Sequence, residues 1–255
     1  MKEAIIYLLA VTAAEVITVT VKPMWGIVFH ILILVTLVLH AALIGKDTLQ
    51  KFLLSLALVP LIRVISSSVP LAKIPQVWWY PIVYAPLLVA ALTVGRLSGY
   101  RREQIGLTFR QVGLQLAVAL TGLLFGVVEY FILRDEAEAT GQVLQQTWLL
   151  AAFSLLACTG FVEELMFRGV MQRSAEGMFG WSGIVYVSFL FAIVHLIHLF
   201  ANGHLIRNSW VDIIFVFAIA LFFGWVVKKT GSLLGVTLSH GLANIVLYLV
   251  IPFFL

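Results

Sequence analysis

Unbroken apolar runs recur from one end of this 255-residue chain to the other. Several are close to the roughly 20 residues that an apolar helix needs to cross the hydrocarbon of a bilayer. A spanning segment must satisfy its own backbone hydrogen bonds, which leaves only helices and closed barrels. Barrel strands alternate apolar and polar residues over short segments, and these runs do not alternate. The sequence therefore predicts an all-α fold, a polytopic transmembrane helical bundle of about eight or nine spans.

Composition agrees. The chain is 62% hydrophobic and 11% charged, whereas a soluble domain is nearer 45–50% apolar and 25% charged. A net charge of +4 would suggest nucleic acid as a partner in a soluble protein. Here the basic residues mark loops, so the expected partner is the lipid bilayer and no nucleic acid is expected. The single cysteine, Cys158, excludes an internal disulfide. The N-terminal run imitates a signal peptide, but it is long and has no small-x-small site before Lys22-Pro23, so it reads as the first span.

Nine candidate spans cover residues 4–21, 25–44, 52–68, 77–95, 112–133, 147–166, 182–200, 210–227 and 232–254. The first two are joined by a short turn at Lys22-Pro23. Eleven of the sixteen Lys and Arg residues, among them Arg96, Arg101, Arg102, Lys228 and Lys229, fall on the side of the N-terminus. Four (Lys22, Lys73, Arg134, Arg207) fall on the other, and Arg63 lies within a span. The positive-inside rule then places the N-terminus in the cytoplasm. All seven tryptophans sit at or near span edges, as an aromatic belt would. Residues 98–111 are basic with interleaved aromatic and aliphatic groups, suiting the membrane interface. The acidic residues 135–142 belong outside. Residues 1–111 form N-terminal spans plus this interfacial segment, and residues 112–255 a second membrane domain.

Charge inside a span is costly and marks candidate functional sites. "TGFVEELMFRG", residues 159–169, places Glu163 beside Glu164, with Arg168 four residues after Glu164. Glu164 and Arg168, at i,i+4, can neutralise each other as a structural pair; that leaves Glu163 unpaired. Phe191 and His195 stand at i,i+4 in span seven, and His240 and Asn244 at i,i+4 in span nine. At 1.5 Å per residue, Glu163 lies about 15 Å from the cytoplasmic end, His195 about 20 Å, His240 about 12 Å and Asn244 about 18 Å. One slab holds all four, as a wet cavity lined by several helices requires. A carboxylate in such a cavity can take a proton from water near neutral pH. One histidine can hold that water, while a second histidine and an asparagine amide can stabilise an oxyanion. This set suits direct amide hydrolysis.

Glu163-Glu164-x-x-x-Arg168, Phe191-x-x-x-His195 and His240-x-x-x-Asn244 resemble, in order, the three motifs of the CAAX proteases and bacteriocin-processing enzymes, the Abi group. The resemblance covers about residues 145–250. It implies an intramembrane glutamic endopeptidase open towards the cytosol and needing no cofactor. Carried over residue by residue, it makes Glu163 the general base and gives His195 the water. His240 and Asn244 become the oxyanion hole, with Glu164, Arg168 and Phe191 in support. Its substrates would be membrane-associated peptides, either prenylated CAAX-type or leader peptides. The short chain and compact loops suggest a prokaryotic cell membrane.

Three other readings compete. A zinc protease could use Glu163, His195 and His240, with His198 and His204 as further ligands, although no helix carries an H-E-x-x-H pattern. A non-catalytic membrane partner or immunity protein could use the same polar cluster for packing or binding. A transporter could use Glu15, Arg63 and Glu129 as a relay, with Glu15 and Arg63 paired across spans one and three; no inverted repeat supports it.

Overall fold

The computed structural model describes residues 2–45, 48–201, 204–205 and 209–254; the side chains at 72, 136 and 198–209 lie outside the description. Lys46 and Arg207, counted in the charge partition, therefore lie outside the described residues, as do the side chains of His198 and His204. Among the described residues, eight helices are long and apolar enough to cross a membrane: α1 (Lys2–Thr20), α2 (Pro23–Ile44), α3 (Thr48–Ser68), α4 (Gln76–Leu97), α5 (Val112–Ile132), α6 (Ala137–Phe179), α8 (Trp210–Thr230) and α9 (Leu234–Phe254). Helix α7 (Ser182–Val194) is shorter. The protein is an all-α, multi-pass integral membrane bundle; a two-residue ladder, Phe200–Ala201 against His204–Leu205, is a detail of one connection.

Large apolar side chains cover much of the outside, among them Leu9, Leu32, Leu39, Val89, Leu120 and Ile214. That is the surface a lipid-facing bundle needs. Trp25, Trp78, Trp148, Trp181, Trp210 and Trp225 are exposed as well, whereas Trp79 faces inward and lines a cavity. One cluster of buried apolar residues runs from Ala4 to Val236 and draws on both the N-terminal spans and the later helices.

The Lys22-Pro23 turn makes a tight hairpin. Extended Lys22 (φ −155°) is followed by Pro23 at the start of α2, a position where proline lacks only an N–H that would go unpaired anyway. Span seven ends sooner than its hydropathy suggests. The His195 N–H reaches back to the carbonyl of Ala192, tightening the chain into a 3₁₀ turn over His195–Leu199. His195 thus stands at the end of a helix, not in its middle.

Span six is far longer than expected. Helix α6 runs for 43 residues, which at 1.5 Å each would reach about 65 Å if straight. It breaks at Thr147 (φ −128°, ψ 40°), so the acidic residues before that point form a separate helical arm, Arg134–Leu144. Beyond the break the helix widens into π-type turns over Leu155–Glu163 and Leu165–Met171. Such turns are rare and often mark functional sites.

Helix α9 is gripped on two sides by backbone contact. A Cβ on Gly122 of α5 would lie 2.1 Å from the Ser239 carbonyl oxygen, and one on Gly160 of α6 would lie 2.8 Å from that of Thr237. No larger residue fits at either position. The close approach fixes the height of α9 against both neighbours, and α9 carries His240 and Asn244.

Candidate active site

The wide turns of α6 present Glu163 and Glu164 in different directions. The Glu164 side chain is wholly buried. Its Oε1 accepts from Arg168 Nη1 at 2.9 Å and from His240 Nδ1 at 2.9 Å. Arg168 and Glu164 do form the expected i,i+4 pair, but Glu164 is not spent on it; the same oxygen ties the first motif to the third. Because Glu164 is an acceptor, His240 Nδ1 carries the hydrogen. The other ring nitrogen, Nε2, lies 3.9 Å from Glu163 Oε2. The imidazole of His240 therefore stands between the two glutamates.

Phe191 is the plate on which the charged groups rest. The Arg168 guanidinium lies 4.1 Å from its ring centre, a cation–π contact. Its ring centre is 4.6 Å from that of His195 and 6.0 Å from that of His240. The Phe191 carbonyl lies 2.7 Å from His195 Nδ1. A carbonyl only accepts, so Nδ1 donates and the neutral ring keeps its lone pair on Nε2.

Two further residues complete the site. The Tyr84 hydroxyl of α4 donates to Glu163 Oε1. Asn244 Nδ2 donates to Thr159 Oγ1 at 2.8 Å, and the Thr159 hydroxyl donates to the Leu155 carbonyl one turn back. Thr159 thereby fixes the asparagine amide, one turn before Glu163. Neither residue is a position of the three sequence motifs. A hydroxyl in mid-span was the one available signal for Tyr84. For Thr159 it was the four-residue step to Glu163.

Glu163, His195, His240 and Asn244 all line one cavity of about 280 Å³, together with Tyr84 and Thr159. Phe191, Val216, Ile219 and Phe223 give it an apolar wall, and Gln76, Glu129 and Thr140 a polar margin. A second cavity of about 350 Å³ shares Tyr84, Glu163 and His195 and is lined otherwise mainly by apolar side chains, with Arg63 and Ser66. Glu163 and His195 therefore form part of the partition between two chambers. Among the described residues no group of three or more His, Cys, Asp or Glu side chains is placed to hold a metal ion.

Residues 144–246, less than half of the chain, match the family model described as type II CAAX prenyl endopeptidase Rce1-like. The matched segment contains all three motifs, and the match is consistent with the CAAX protease and bacteriocin-processing family. A family of this description implies a membrane-embedded peptidase, a hydrolase. No curated protein and no solved structure matches the chain.

Proposed function

We propose that the chain is an intramembrane endopeptidase in which Glu163 deprotonates a water molecule that attacks a peptide carbonyl directly. The observation that carries this reading is the common cavity wall of Glu163, His195, His240 and Asn244. The water lies between the Glu163 carboxylate and His195, whose Nε2 lone pair accepts one of its hydrogens. Glu163 takes the other proton as the new C–O bond forms. The carbonyl oxygen becomes an oxyanion, and the Asn244 amide, one of whose two hydrogens is held by Thr159, donates the other to it. Collapse breaks the C–N bond, and Glu163 returns its proton to the leaving amine nitrogen.

His240 serves the oxyanion best as an imidazolium. The buried cluster holds two carboxylates, Glu163 and Glu164, against one guanidinium, Arg168. A second proton on His240 balances that count, and an unbalanced buried charge is costly. With Nδ1–H committed to Glu164, Nε2–H is the donor left for substrate.

This set of roles needs no metal: Glu163 supplies the base, His195 holds the water, and His240 and Asn244 supply the oxyanion donors. The apolar cavity wall fits membrane-associated peptide substrates, CAAX-type prenylated or leader-type, and the loop charges support a site facing the cytosol.

The test is cleavage of quenched fluorescent peptides, with and without a prenylated cysteine, by the purified chain in detergent. Cleavage proceeds unchanged in EDTA. Loss of activity in EDTA that zinc restores would replace this reading with the zinc protease, and no cleavage of either peptide class would favour a non-catalytic partner. In the same assay Asn244→Ala lowers kcat by about 10²–10³-fold, the usual cost of losing one oxyanion donor. KM changes little, because the lost bond forms to the oxyanion and not to the ground-state substrate. A kcat within twofold of wild type, or a KM effect alone, would remove Asn244 from the oxyanion site.

A further inference from the structure

Outside the matched segment, the first three spans bury a charge cluster of their own. Glu15 of α1 is wholly buried and Arg63 of α3 is 4% exposed. Arg63 Nε donates to both Glu15 oxygens, at 3.1 and 3.0 Å, and Nη2 lies 2.8 Å from Oε2. His30 of α2, also buried, places Nε2 3.5 Å from Glu15 Oε1. Replacing a buried ion pair with well-packed apolar residues is often neutral or stabilising, so stability is a weak reason for such a pair to be there.

Arg63 makes one more bond. Its Nη2 donates to the Val194 carbonyl at 2.7 Å. Val194 is the last residue of α7, and His195 follows it directly. The final carbonyls of a helix have no partner within the helix, and a cation there is favoured by the helix dipole. Arg63 caps this helix at the point where the chain turns His195 into the cavity, and both residues line the second chamber beside Glu163.

We propose that Arg63 is a positioning residue for the reaction: held by Glu15, it fixes the end of α7 and so sets where His195 meets the water. The proposal rests on the reading of His195 given above and adds a role for the N-terminal spans. Arginine suits this task because its planar fork can grip a carboxylate while a remaining N–H reaches a carbonyl. Lysine, one bond shorter and with a single nitrogen, can keep the ion pair but does not span both partners.

Two variants test it: Glu15→Gln/Arg63→Met, which removes the pair without stranding a charge, and Arg63→Lys, which keeps the charges should the double variant fail to fold. Peptide cleavage gives kcat and KM, and thermal unfolding in detergent gives a midpoint. The expected result is a kcat lower by about tenfold or more, the scale on which small misplacements act, with KM and midpoint near wild type. A folded variant with wild-type kcat overturns the proposal, as does a kcat that falls only as far as the midpoint does, since that marks a structural role. His195→Ala, run in parallel, separates the two levels. Full activity there removes the premise about His195. Loss there, with unimpaired Arg63 variants, removes this inference alone.

Discussion

Glu163→Gln lowers kcat by about 10⁴-fold, the upper range for a positioned general base. Glutamine keeps the shape of the side chain, and its amide oxygen can still accept from the Tyr84 hydroxyl. It cannot take a proton from water. Folding and substrate binding therefore survive while turnover does not. Kinetics on the purified variant, with the unfolding midpoint as a control, measure this. A variant with wild-type midpoint and a kcat within tenfold of wild type would show that another group activates the water.

Glu164→Ala has the largest expected effect on stability. It leaves the Arg168 guanidinium buried without its carboxylate and frees His240 Nδ1. Breaking one side of a buried pair costs about 3–5 kcal/mol. The expected outcome is a sharply lowered unfolding midpoint in detergent, or no folded protein at all. Any protein that does fold has lost the bond that orients His240 and turns over poorly. Near-wild-type stability and turnover would mean that Glu164 is solvated and plays no part in holding the site.

Much of this architecture is legible from hydropathy, because a lipid-facing helix cannot disguise its composition. The helical nature of the spans and most of their positions follow from that constraint, whereas the Glu15–Arg63 pair is legible only as two opposite charges in spans one and three. The polar motifs could be placed at a common depth because helical rise is regular. What the pattern could not convey is local pitch. Adjacent helical residues diverge by about 100° in any case, so Glu163 and Glu164 are expected to face different ways, but no residue in 155–171 announces the π-type turns that set their final directions. The same applies to His195. Its span keeps an apolar pattern through Ile197 and Leu199, yet the helix ends at Val194.

Roles that depend on a second partner were hidden for a related reason. Glu164 and Arg168 announce themselves as a local pair, and the spacing alone says nothing of a third partner 76 residues away. Tyr84 lies outside every motif, on a helix that otherwise reads as packing. The bond from Arg63 to the Val194 carbonyl joins residues 131 apart through a backbone atom that every residue possesses. Sequence marks the side chain in such a contact but never its acceptor.

Whether Glu163 delivers water to the peptide carbonyl or itself attacks that carbonyl can be read from an isotope. A single turnover in H₂¹⁸O followed by mass spectrometry reads where the oxygen goes. Direct attack places one ¹⁸O in the carboxylate of the cleaved product and none in the enzyme. Appearance of ¹⁸O in the Glu163 side chain would reveal a covalent anhydride opened by water at the enzyme's own carbonyl, and would rule out Glu163 as a base alone.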